Sequence, residues 1–454
     1  MYWRLKVSEY GKIGYADIEV APLTLFVGDN NSGKSYLMSL LWGIQNFGIM
    51  QLMVKDTAEQ WIEEERILAD WIWDYMSKAW EEGSSVAQAG EVAQELQIVL
   101  RENIKSNKNI FLRKIFNSWD VKIESLEIEL QDLNQISLRF ERIKDKTGGM
   151  TDTFSFKSST GNEISVSNMG MEGSGHYTDR ILMCIIFSLI TGIPLGNKTE
   201  DNRNLYLPAA RTGFMLTKDL INRAGRNAAF NIVETEQEKM TPFVKPIIQF
   251  LDVINDLTYE ERGDEKFHWV TEYLEKGMAD GTVEMSTLPN KEVSYVPAGQ
   301  GEAMSLRCVS AVVTELSPLI LILKHKAYLN MLFYEEPEIC LHPQLQQKIA
   351  RVICRLVNSQ LDMVVTTHSD IILQHINNML ALSGREDREG ICQVLNYFPE
   401  DLLCTEQVRV YQLKSGEDKK TEVTELPCGP NGFAIPTFND ALDQIMDEAY
   451  VIQR

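Results

Sequence analysis

The chain has 454 residues, 44% hydrophobic and 24% charged, the composition of a soluble globular protein of one or two domains with length for a large core. A formal net charge of −21 excludes a general electrostatic grip on nucleic acid and leaves room only for a local basic patch. The seven cysteines are scattered, with no Cys-x-x-Cys pair, which argues against a disulfide framework or zinc site and for the reduced thiols of a cytosol.

Residues 1–6 carry no signal-peptide apolar core, so a cytoplasmic location is expected. Residues 2–7, 16–20 and 23–27 read as strands, with Gly11 and Gly14 punctuating the first turn. From 36 to about 106 the pattern is mainly helical, with Trp61, Ile67, Leu68, Trp71 and Ile72 as its apolar face. Residues 121–124 and 126–130 alternate with period two, and a Thr/Ser/Gly-rich stretch follows at 147–163. The most apolar run, 181–195, is shorter than the ~20 residues of a spanning helix and ends at Gly-x-Pro, so it reads as a core helix with no membrane segment. A short strand at 204–207 precedes Pro208-Ala209-Ala210-Arg211-Thr212-Gly213, and helices without a lasting heptad fill 214–280. Residues 291–375 form a compact strand–helix–strand–helix block. The tail holds strands at 408–413 and 421–426, a Gly-Pro-Asn-Gly turn at 429–432 and an acidic helix at 437–449.

The chemistry concentrates in three words. The first, Gly28-Asp29-Asn30-Asn31-Ser32-Gly33-Lys34-Ser35, stands between a buried strand and a helix, the context that identifies a P-loop. Its glycines let successive N–H groups turn toward phosphate oxygens, and the helix N-terminus adds partial positive charge. Lys34 is expected on the β- and γ-phosphates of ATP and the Ser35 hydroxyl on Mg²⁺. The second word is the apolar strand 331–334 delivering Glu335-Glu336-Pro337-Glu338. Glu335 is expected to hold Mg²⁺ through water, and Glu336 to orient and deprotonate the attacking water. Asp is the usual residue at the first of these positions, so Glu335 is a departure that adds one methylene. The third is the strand 363–367 ending at His368, whose ring can donate to the γ-phosphate and sense it. The step from Glu336 to His368 fits one crossover helix at about 344–358.

Gly28 and Glu336 are 308 positions apart, which implies a head with a large insertion. The three words resemble the ABC-type ATPases of the SMC, Rad-fifty, RecF and OLD branch, and within it the ATPase subunits of bacterial anti-phage systems such as PARIS and Septu. The resemblance is strongest over 1–45 and 290–380, and the phrase 207–213 also looks like one that recurs in those ATPases. It implies an α/β fold: an ABC-type P-loop ATPase head, a mixed sheet flanked by helices, with helical insertions. On this reading 1–208 is the N-terminal part of the head (with a helical segment at about 51–108), 209–285 a helical insertion and 286–454 the C-terminal part. It also implies a homo-oligomer through ATP-bridged heads, with a signature loop capping the partner's nucleotide. The candidate is 305–315, which lacks Leu-Ser-Gly-Gly-Gln; Ser310 is the best match to the capping serine, the alternative being a buried helix residue. No Q-loop glutamine stands out, Gln45 lying too close to the P-loop. His342 reads either as part of the dimer-facing loop or as an exposed loop histidine.

Arg211 reads either as aimed at a phosphate or partner carboxylate, or as a surface salt bridge. Arg101, Lys105, Lys108, Arg113 and Lys114 read either as a DNA or acidic-partner contact or as a solvated helix face. Only 86 residues follow His368, and Asp440, Asp443 and Asp447 sit at helical spacing, which reads as a solvated face rather than a nuclease metal cluster. A separate effector, a nuclease or toxin, is therefore expected, with a phage-encoded trigger. The resemblance leaves a RecF-like or SMC-like DNA-repair ATPase as the alternative, and a basic surface would be its mark.

Overall fold

The computed structural model describes residues 3–53, 61–143, 153–167, 176–196, 203–230, 243–285, 292–416, 419–429, 432–434 and 446–452. The chain divides into two compact units, one of residues 1–20 and 43–199, the other of residues 21–42 and 200–454.

In the first unit Trp3–Tyr10 pairs antiparallel with both Ile13–Glu19 and Ser125–Leu130. Its side chains alternate in burial from Trp3 to Ser8, and Trp3 Nε1 donates to the Thr191 carbonyl at 3.0 Å. A second sheet orders the strands Ser84–Gln88, Ser137–Ile143, Thr153–Ser158 and Glu163–Ser167, all antiparallel. Helices Glu63–Glu82, Ala93–Phe116 and His176–Thr191 complete the unit. The last contains most of the apolar run 181–195 and is deeply buried. Among the described residues no helix is long and apolar enough to cross a membrane.

Two expectations are corrected here. Residues 121–124 form no strand, although Glu124 N–H still bonds the Ser8 carbonyl at 3.0 Å. In Glu63–Glu82 the buried stripe is Leu68, Ala69, Ile72, Met76 and Ala79, while Ile67 is exposed. Trp71 lies on the neighbouring stripe, edge-on to Tyr75 and bonded through Nε1 to Glu91 at 2.9 Å. Leu68 and Ile72 share a stripe with Met76 through i, i+4 spacing, which Ile67 and Trp71 continue to Tyr75 instead.

The second unit is built on six strands in the order Thr421–Leu426, Val408–Ser415, Leu23–Gly28, Asp362–Thr367, Met331–Glu335 and Asn204–Leu207. The first pair is antiparallel and the other four pairs are parallel, so the sheet is mixed. Leu23–Gly28 and Met331–Glu335 are buried at every position, as unbroken apolar runs covered on both faces require. Helices Lys245–Asp256, Ala311–His325, Pro343–Asn358 and Asp370–Ser383 contribute the core residues Phe250, Leu316, Ile353 and Ile376 around Leu25, Leu332 and Val365. Pro343–Asn358 is the expected crossover helix, with proline in its first turn where a missing N–H costs nothing. This is the anticipated α/β head, a mixed sheet flanked by helices. Of the expected acidic helix 437–449, only residues 446–449 are described, and they are helical; Pro430, Asn431, Asp440 and Asp443 lie outside the described residues.

The helix Lys34–Met53 starts in the second unit and bends in the first at Gly48, whose φ is 75°. There Ile49 and Met50 N–H bond the carbonyls of Pro194 and Leu195 at 2.8 and 2.9 Å, replacing helical bonds. A Cβ at Gly48 would lie 2.4 Å from the Pro194 oxygen. Gly48→Ala should therefore destabilise the protein by about 1–3 kcal/mol, seen as a lower urea midpoint; an unchanged midpoint would show that the bend is dispensable.

Candidate functional site

Register brings three strand ends level in the second unit. Val27 pairs with Thr367, and Thr366 pairs with Glu335. Gly28, His368 and Glu336 each follow directly, so the three sequence words meet along one edge of the sheet.

The loop leaves the sheet through left-handed backbone at Gly28 (φ 121°), Asn31 (φ 58°) and Gly33 (φ 100°). Glycine is required at 28, since a Cβ there would lie 2.1 Å from the Leu413 carbonyl oxygen. Asp29 N–H donates to that carbonyl at 3.2 Å, and its carboxylate accepts from Ser415 N–H at 3.1 Å. The strand Val408–Ser415 thus fixes the start of the loop. Tyr36 and Leu37 N–H close the first helical turn on the Gly33 carbonyl. Ser32 is buried, whereas Asn30, Asn31 and Ser35 are exposed.

Lys34 is buried inside the loop, its Nζ donating to the carbonyls of Gly28 at 3.1 Å and Asp29 at 2.6 Å. Burial pulls its pKa down to about 8, against the opposing charges of Glu336, Asp29 and Glu338. Those couplings place the second word's acids close to the P-loop lysine.

Glu335, the last residue of its strand, is buried, and one carboxylate oxygen accepts from Ala209 N–H at 3.2 Å. Glu336 turns out of the strand with φ 42°, a left-handed conformation costing a non-glycine residue about 1–3 kcal/mol. Its N–H bonds the Thr366 carbonyl at 2.9 Å and its own carbonyl accepts from Arg211 at 3.0 Å, which together hold the turn. The carboxylate remains part-exposed, 3.8 Å from Nε2 of His368.

Burial, followed by the nearby charge of Lys34, lowers the pKa of His368 and favours the neutral ring at pH 7; the ring is bonded to the Gly28 carbonyl. Lys34, Glu336 and His368, the three expected catalytic residues, therefore gather around Gly28. Glu338 anchors this arrangement, a role its position in the acidic run did not announce. Its two oxygens accept from His368 N–H at 2.5 Å and from the Thr367 hydroxyl at 2.9 Å. Burial raises its pKa while those bonds oppose the shift. The sequence signal was the acid directly after the proline, together with a Thr-Thr-His strand end.

Arg211 is fully buried, which corrects both the surface salt bridge and the phosphate-directed reading. Its guanidinium bonds the carbonyls of Pro208, Glu335 and Glu336 and pairs with buried Glu315. Glu315 carried a legible clue as the one acid inside the apolar run 311–323.

Ser310 is exposed at the N-cap of Ala311–His325, its Oγ accepting from Val313 N–H at 3.5 Å, so the buried-helix alternative is set aside. His342 is an exposed N-cap without a side-chain cap bond. In the first unit the basic cluster is engaged by its own chain. Arg101 pairs with Glu127, Lys105 with Glu102, Lys108 with the Glu124 carbonyl and Lys114 with Gln51, while Arg113 lies over Trp119.

The donor set fits a nucleotide and its metal. Left-handed loop backbone and a buried lysine suit phosphate, and the Ser35 hydroxyl and Glu335 carboxylate are hard oxygen donors suited to Mg²⁺.

Residues 1–373 match the model of the AAA ATPase domain family. No curated protein matches the sequence. Similar solved structures include the SMC head domain from Thermotoga maritima, 10% identical with a TM-score of 0.34, covering 94% of this chain and 100% of that one. Another is an Smc head domain with an extended coiled coil, bound to the C-terminal domain of ScpA and derived from Pyrococcus furiosus. It is 13% identical, with a TM-score of 0.36 and 99% of each chain covered.

Lys34 is charged below its pKa of about 8 and neutral above it, whereas bound phosphate favours the charged form. Affinity for a non-hydrolysable ATP analogue should hold steady up to pH 7 and be about tenfold weaker at pH 9. A flat titration curve across that range would contradict the burial of Lys34.

Proposed function

The chain belongs to the AAA ATPase domain family, and we propose that it binds ATP in the 28–35 loop and hydrolyses it slowly, as a switch. The observation that carries this reading is the meeting of Lys34, Glu336 and His368 around Gly28. Loop N–H groups and Lys34 hold the β- and γ-phosphates and stabilise charge on the transferring group. Glu336, part-exposed beside His368, orients water and accepts its proton. His368, neutral and clamped by Glu338, reports the terminal phosphate. Ser35 and Glu335 would hold Mg²⁺, which when bound would offset the charge of the phosphates.

Ser310, exposed at a helix N-terminus, is suited to cap a nucleotide held by a second copy, giving a homo-oligomer bridged by ATP. We further infer a cytoplasmic role in bacterial anti-phage defence, in which assembly and hydrolysis hold or release a separate nuclease or toxin in response to a phage-encoded trigger. Support comes from the sequence phrases shared with such ATPases and from the net charge of −21, which favours protein partners. The internally engaged basic cluster gives the DNA-repair alternative no added support.

Lys34→Ala should abolish ATP binding, whereas Glu336→Gln should bind ATP, lose about a hundredfold or more in hydrolysis rate and accumulate as an ATP-bound oligomer. Equilibrium binding, phosphate release and light scattering read the three effects. Hydrolysis by Glu336→Gln at the parental rate would remove the general-base assignment. Co-purification with the product of the adjacent reading frame tests the effector, and its failure at every nucleotide state would count against the defence role.

A further inference from the structure

We propose that Arg211 is a positioning residue for Glu336, and that the Arg211–Glu315 pair is the linkage through which the helix Ala311–His325 sets the backbone of the hydrolytic turn; this rests on the ATPase reading above. Three separate elements converge on one guanidinium. One nitrogen donates to the carbonyls of Pro208 and Glu335; the other donates to the Glu336 carbonyl at 3.0 Å and lies 2.5 Å from Glu315 Oε1 as an ion pair. The other oxygen of Glu315 accepts from Thr212 N–H at 3.1 Å and the Thr212 hydroxyl at 2.6 Å. The Tyr334 ring lies under the guanidinium with its centroid at 4.8 Å. Arg211 and Glu315 are 0% and 1% exposed, so neither reaches a phosphate in solvent.

The geometry explains why the pair is ionic. Stability alone is served as well by two apolar side chains, since desolvating both charges offsets most of their attraction. What an apolar pair cannot do is grip the carbonyls of Glu335 and Glu336 and a helix carboxylate at once. That task suits the planar fork of arginine, and the point charge of lysine does not replace it. Glu315 stands one and a half turns beyond Ser310 on the same helix. Any ligand or partner that shifts this helix therefore pulls Glu315, then Arg211, then the carbonyl of Glu336. The left-handed φ of 42° makes that turn dependent on outside restraint.

The test compares the parent with Arg211→Lys, Glu315→Gln, their combination Arg211→Lys/Glu315→Gln, and the double variant Arg211→Met/Glu315→Gln, which removes both charges together. ATP-analogue binding, kcat and KM are measured on each, with melting curves to establish folding. The linkage predicts binding within about threefold of the parent, kcat reduced about a hundredfold, and losses in Arg211→Lys and Glu315→Gln that do not add when those two changes are combined. Folded variants with parental kcat and only a lower melting temperature would show a purely structural pair. A raised KM with parental kcat would return Arg211 to the role of phosphate ligand. Should the double variant not fold, Arg211→Lys, which keeps the charge, decides by the same criteria. Glu336→Gln run alongside separates the two readings, because parental hydrolysis there would overturn the ATPase site itself, whatever Arg211 does.

Discussion

In-register parallel pairing of Val27 with Thr367, and of Thr366 with Glu335, is the constraint on which the site depends. Parallel neighbours leave the sheet on the same side, so equal register delivers Gly28, His368 and Glu336 to one edge although Gly28 and Glu336 stand 308 positions apart. A slip of one residue in Asp362–Thr367 would turn its side chains to the opposite face and carry His368 away from Gly28. Burial on both faces enforces the register, because each apolar side chain of these strands has a fitted place in the core.

Around that edge the protein gathers charge in a poorly solvated setting. Burial depresses Lys34 and His368 and raises Glu338, three shifts with one cause. The arrangement keeps the imidazole neutral, the lysine charged at neutral pH and the clamp carboxylate bonded to backbone. Around these groups lies a shell whose only evident work is to hold shape. Glu338 fixes the backbone at His368, Arg211 fixes the carbonyls of Glu335 and Glu336, and the Leu413 carbonyl fixes Asp29. The groups that the proposed function assigns to phosphate are thus carried on backbone that is itself bonded from behind, the condition for transition-state charge to be met without reorganisation.

Much of this was legible in the sequence because its signals are local. The P-loop is contiguous, its strand and helix flank it directly, and the strands carrying Glu335 and His368 are apolar runs bounded by polar residues. The α/β class followed from the family resemblance that those words carry. What was not legible depends on distant partners. Arg211 and Glu315 are 104 positions apart, and nothing near either shows that they meet in the interior. Glu338 could be counted among the acids, but its bond to His368 N–H needs the fold. Residues 121–124 alternate like a strand, yet tertiary context left them outside the sheet. Ile67 misled because consecutive apolar residues on a helix fall on adjacent stripes, of which only one faces the core. The basic helix face looked available only because its acceptors, Glu127 and the Glu124 carbonyl, lie beyond the helix that carries it.

The most direct measurement is the experimental structure of the protein with a non-hydrolysable ATP analogue and Mg²⁺. The account predicts the β- and γ-phosphates on Lys34 and the N–H groups of residues 28–35, with Glu336 and His368 flanking the terminal phosphate and Glu338 still bonded to His368. Nucleotide bound elsewhere, or bound in this loop with Glu336 and His368 turned away from the terminal phosphate, would contradict it.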